Sequence, residues 1–103
     1  MKEYHKLVRD KIPQIIEMQG ERPCTRILDQ DEYTRRLEAK LDEEVREFHR
    51  DQTLEELADI LEVVYALAEN MGCTKEDLHR VYDKKHEDRG GFRERIFLIS
   101  KEG

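Results

Sequence analysis

The chain has 103 residues, of which 43% are charged and 37% apolar, with 19 Lys and Arg against 25 Asp and Glu for a formal net charge of −6. That length fits one domain spanning 1–103, and the acidic balance argues against a binder of nucleic-acid polymers, whose phosphates attract basic faces. The longest apolar run, residues 63–68, is too short to cross a bilayer. The charged start Met1-Lys2-Glu3 is unlike a secretory signal, and two cysteines, Cys24 and Cys73, without close Cys or His spacing read as reduced cytoplasmic thiols.

Taken in chain order, residues 4–9 read as extended. Asp10 is then expected to cap a short helix running to about Gln19, with Pro13 tolerated in its first turn and Gly20 ending it. Thr25, Ile27 and Leu28 favour a short strand over 25–28. Asp29 with Glu32 has the spacing of a capping box, opening a helix over about 30–50 on which Tyr33, Leu37, Leu41, Val45 and Phe48 share one face. Thr53 with Glu56 opens a second helix over about 54–71. Its inward face is expected to carry Leu54, Leu57, Ile60, Leu61, Val64, Leu67 and Ala68, and Gly72 ends it. Thr74 with Asp77 starts a third long helix to about Arg89, stopped by Gly90-Gly91. Residues 96–99 are expected to pair with 25–28 as a short β ribbon. The class is therefore mainly α, a helical bundle around a tight hairpin of helices.

Charge is unevenly placed along this plan. Residues 29–62 hold 13 acids and 5 bases, net −8, while the remainder is net +2. Within that stretch, Glu44 and Glu47 share a helix face, as do Glu56 and Asp59, because residues three apart point the same way. Folding two antiparallel helices about residues 51 and 52 sets Glu47 opposite Glu56 and Glu44 opposite Asp59. At 100° per residue, Glu44 lies about 60° from the apolar stripe, on the flank of the buried face rather than free in water. Carboxylates gathered at the edge of a core repel one another, and a hard divalent cation such as Mg²⁺ or Mn²⁺ resolves that repulsion. A solvated acidic face is the plain alternative. His49, two residues past Glu47, should point away as a surface residue.

At these residues the chain resembles the MazG-like branch of the all-α nucleotide pyrophosphohydrolases, a group related to phosphoribosyl-ATP pyrophosphohydrolase and the dimeric dUTPases. Its metal signature, EExxE then ExxD, stands here as Glu43, Glu44 and Glu47, then Glu56 and Asp59. The opening Tyr4-His5-Lys6-Leu7-Val8-Arg9-Asp10-Lys11-Ile12-Pro13 and the segment ending Arg89-Gly90-Gly91-Phe92 resemble one small stand-alone subgroup. The spacer departs from the pattern: eight residues separate Glu47 from Glu56, which leaves little for a loop-built substrate pocket.

The resemblance implies Mg²⁺-dependent cleavage of a nucleoside triphosphate between the α and β phosphates, with removal of non-standard nucleotides as one role. It assigns Glu44, Glu47, Glu56 and Asp59 as metal ligands and Glu43 as an outer-shell group or a base for the attacking water. Phosphate charge would be met by Lys85 and Arg89, four apart on one helix, with Lys6, Arg9 and Lys11 near the first helix. Phosphoribosyl-ATP pyrophosphohydrolase activity is an alternative, as is a non-catalytic acidic helical module. Two helices leave much apolar surface uncovered in so short a chain, so a homodimer or larger homo-oligomer is expected.

Overall fold

In the computed structural model, which describes residues 2–103, capping chemistry sets most helix boundaries. Four helices follow one another: α1 (Ile12–Met18), α2 (Gln30–Asp51), α3 (Leu54–Asn70) and α4 (Lys75–Arg89). Asp29 accepts the Glu32 amide at 2.9 Å and Thr53 accepts the Glu56 amide at 3.2 Å, so orphan donors at the starts of α2 and α3 are satisfied. Only α4 completes the reciprocal box, with Asp77 N–H donating to Thr74 Oγ1 at 3.0 Å and Thr74 N–H to Asp77 Oδ2 at 2.8 Å. The Glu32 carboxylate instead takes the Arg26 guanidinium at 2.7 and 3.1 Å.

The start of α1 differs from expectation. Lys11, not Asp10, holds the N-cap position, and no side chain caps the helix. The reason is Pro13: it is the second helical residue and has no N–H, so one of the two donors a cap would satisfy is missing.

α2 and α3 form a tight antiparallel hairpin. Gln52 turns it in the left-handed region at φ 53°, and its N–H donates to the Phe48 carbonyl at 2.8 Å. At the open end, Gln30 Nε2 donates to Asn70 Oδ1 at 2.6 Å and Asn70 Nδ2 to Thr34 Oγ1 at 3.0 Å, closing the pair. The core lies along this seam: Leu37 is 3% exposed, and Val63 and Ala68 are buried with it. α4 packs on α3, where the Tyr65 hydroxyl and a His79 ring nitrogen share a hydrogen bond of 3.0 Å.

Two expectations are overturned. No strand forms among the described residues, so the ribbon of 25–28 with 96–99 is absent. Ile27 and Ile96, Phe97, Leu98 and Ile99 all face solvent. A two-stranded ribbon is marginal without a face to pack on, and a single copy offers none. Second, Leu54, Leu57 and Leu61 are exposed rather than inward. At 100° per residue they lie on the far side of α3 from Val63, whose face is the one that meets α2. With a radius of gyration of 18.2 Å, against about 13 Å for a compact chain of this length, the molecule is elongated and leaves that leucine stripe bare.

Candidate metal centre

The hairpin brings together the carboxylates that the spacing singled out, and Glu44 is their hub. Its residue is 6% exposed, and its Oε2 has no hydrogen-bond partner. One group of carboxylates within 4.8 Å of one another is Glu44, Glu56 and Asp59, joining both helices; a second is Glu43, Glu44 and Glu47, along α2. The pairing matches the expected fold-back: Glu44 meets Asp59 and also reaches Glu56, and Glu47 is the foremost charge acting on Glu56. Glu56 Oε2 is likewise buried without a partner.

A buried carboxylate oxygen without a donor is costly, of order 1–3 kcal/mol, and this cluster holds two, on Glu44 and Glu56. Burial first, and then the adjacent Glu47, lift the Glu44 carboxyl above its ordinary range, although Lys40 pulls the other way. Burial, followed by Glu47, Asp51 and Asp59, also raises Glu56. Protein cations only partly answer this. Lys40 Nζ stands 3.5 Å from both Glu43 and Glu44, and Arg9 reaches across from the N-terminal segment to Asp59 at 3.2 Å and Glu62 at 3.0 Å.

The donor set fits a hard divalent cation. It is all oxygen, it contains two oxygens that lack donors, and its spread is close to the ~4.2 Å between opposite ligands of a Mg²⁺ ion with bonds of about 2.1 Å.

The expected phosphate-binding bases fare unevenly. Lys6 borders a hollow beside Glu43, and Arg9 touches the centre directly. Lys11 is exposed at the start of α1. Lys85 and Arg89 lie on α4, exposed throughout, and among the described residues no hydrogen bond or ion pair joins Lys11, Lys85 or Arg89 to these carboxylates. His49 is exposed, as expected. Lys40 was not among the expected residues; its signal was the spacing of three and four to Glu43 and Glu44.

No protein-family profile matches the chain, and no solved structure does. A protein of Mycolicibacterium smegmatis, described only as uncharacterized, is 51% identical over 53 residues, an alignment covering 48% of this chain and 54% of that protein. The chain thus spans about half the length of the curated relative it matches. No helix among the described residues is long and apolar enough to cross a membrane.

Proposed function

We propose that this chain is a Mg²⁺-dependent nucleoside triphosphate pyrophosphohydrolase, producing a nucleoside monophosphate and pyrophosphate. The observation that carries the reading is Glu44, buried with an unpartnered oxygen at the junction of two groups of carboxylates. Glu44, Glu47, Glu56 and Asp59 would hold Mg²⁺ or Mn²⁺, and Glu43 would orient or deprotonate a water. The bound cation would neutralise phosphate charge and lower the pKa of that water. Arg9, paired with Asp59, and Lys40, paired with Glu43 and Glu44, are the bases that already touch these carboxylates and would meet the phosphates of a bound substrate.

The same centre would serve phosphoribosyl-ATP as substrate, so the deciding experiment is a nucleotide panel that includes it, scored for pyrophosphate. Turnover should require Mg²⁺, stop with EDTA, and be lost in Glu44→Gln and Asp59→Asn. The rival reading, an acidic interaction module, draws support from Arg9, which already pairs with Asp59. That reading gains if millimolar Mg²⁺ leaves the melting temperature unchanged and no triphosphate is turned over. The bare stripe of Leu54, Leu57 and Leu61 supports a homodimer or larger assembly, since an apolar helix face of this kind gains by burial against a second copy. A cytoplasmic setting accords with the two free thiols, Cys24 and Cys73.

A further inference from the structure

We propose that the hollow between the N-terminal segment and the basic flank of α2 is a subsite for the phosphate groups of a di- or triphosphate. The parent molecule of that anion rests on the pyrophosphohydrolase reading; the anion site itself does not.

The hollow has a volume of about 240 Å³, and Lys6, Arg36, Lys40 and Arg46 meet there with Glu43 as the one carboxylate in its wall. Lys40 is answered there by Glu43 and Glu44 and Arg36 by Glu32 at 3.9 Å, which leaves Lys6 and Arg46, among the described residues, as the cations of the hollow without a carboxylate. Its two sides come from distant parts of the chain. Arg36, Lys40, Glu43 and Arg46 recur at helical spacing along one flank of α2, whereas His5 and Lys6 arrive on the irregular N-terminal segment.

A basic surface that is merely solvated would leave its charges spread and wet. Here Lys40 has only 17% of its side chain exposed and holds Glu43 and Glu44 on one side, with Lys6, Arg36 and Arg46 around the same hollow. Among the described residues neither Lys6 nor Arg46 has a carboxylate within 4 Å, and Arg36 reaches Glu32 only at 3.9 Å. Lys6 and Arg46 thus bring positive charge to the hollow that no carboxylate of the described residues answers within 4 Å, and an anion would supply the missing partner. Two guanidinium groups with their planar donor forks suit phosphate oxygens, which accept in pairs.

Size and position narrow the ligand. A volume of 240 Å³ lies below the ~300 Å³ at which pockets begin to enclose a drug-sized molecule. It therefore suits one or two phosphate groups, with a base and sugar held elsewhere. Lys40 touches both Glu43 and Glu44, so an anion bonded to its ammonium group lies beside the carboxylate centre. The segment that carries Lys6 continues to Arg9 on Asp59, passing from the hollow toward the α3 side of that centre. A triphosphate lying along this path would place its outer phosphates in the hollow and its α phosphate toward Asp59.

The test is calorimetric binding of inorganic pyrophosphate and tripolyphosphate to the full chain in EDTA at low salt. Wild type is expected to bind with one-site stoichiometry. Arg36→Gln with Arg46→Gln, and separately Lys6→Gln on the irregular segment, should each weaken binding tenfold or more with helical circular dichroism intact. Glu44→Gln should bind at least as tightly as wild type, and Lys85→Gln with Arg89→Gln should match it. The proposal is overturned if folded wild type gives no binding, if loss follows the α4 substitutions instead, or if the Arg36, Arg46 and Lys6 variants all bind undiminished. Pyrophosphate binding without a Mg²⁺-induced rise in melting temperature or turnover would keep the subsite and remove the pyrophosphohydrolase reading. Turnover whose inhibition by pyrophosphate ignores Arg36 and Arg46 would remove the subsite alone.

Discussion

Replacing Glu44 with Gln should make the metal-free protein more stable, not less. Glu44 is 6% exposed, one of its oxygens has no donor, and Glu43, Glu47, Glu56 and Asp59 crowd it. A Gln of the same shape removes one negative charge from that group. It also supplies two amide N–H donors, one of which can meet the orphaned Glu56 Oε2. The loss on the other side is one Lys40 contact at 3.5 Å, and Lys40 keeps Glu43 at the same distance. Relieving a buried, unsatisfied polar atom is worth about 1–3 kcal/mol, and a contact such as that of Lys40 about 1 kcal/mol or less. The net gain is then about 1–2 kcal/mol, or about 5–10 °C in melting temperature for a domain of this size.

Thermal unfolding followed by circular dichroism at pH 7 in EDTA measures it directly. The order should reverse with Mg²⁺. A cation bound only by the folded state at a hundred times its dissociation constant adds about 2.7 kcal/mol, and Glu44→Gln should forgo most of that. A variant that melts below wild type in EDTA, or that gains as much from Mg²⁺ as wild type does, would refute the view of Glu44 as a strained acid awaiting a cation.

Three further outcomes are expected. Leu37→Ala, at the most buried core residue among those described, should cost about 2–5 kcal/mol in urea unfolding, a large share of the stability of so small a domain. The Thr74 backbone N–H, which donates to Asp77 Oδ2 in the capping box of α4, leads in holding the Asp77 carboxyl below the ordinary value of 3.8, with the Thr74 side chain next. A lowered folded pKa means that this stabilisation is present above 3.8 and fades as pH falls through the folded value. Asp77→Asn should remove that acid-side loss, read as a flatter dependence of melting temperature on pH below about 4. Finally, Leu57→Glu with Leu61→Glu places charge on the bare stripe of α3. In sedimentation the wild type should run above 12.4 kDa, and the double variant should run as a single chain.

Local chemistry and periodicity were legible before any coordinates. Asp29, Thr53 and Thr74 each sit where a cap is needed, and the structure uses all three. The EExxE and ExxD spacings, set on helices joined by a turn at Gln52, placed Glu44 at the edge of the core. What periodicity could not separate were the two apolar faces of α3. Leu61 and Val63 are both strong core formers two positions apart, about 200° round the helix, and only the packing of α2 selects Val63. The tail shows the same limit: residues 96–99 have strand-forming composition, but a strand needs a partner edge, and one copy of the chain supplies none.

Sequence alone therefore determined where the three long helices begin and end, because caps and turns act within three or four residues, while the start of α1 escaped it. It also determined that acid would collect on the central hairpin. The tertiary structure decided which acid became the hub, which bases reached it, and which leucines stayed wet. Those outcomes depend on the rotation and offset of one helix against another, and on an N-terminal segment laid across both, set by packing between residues some 50 positions apart, as in Arg9 on Asp59.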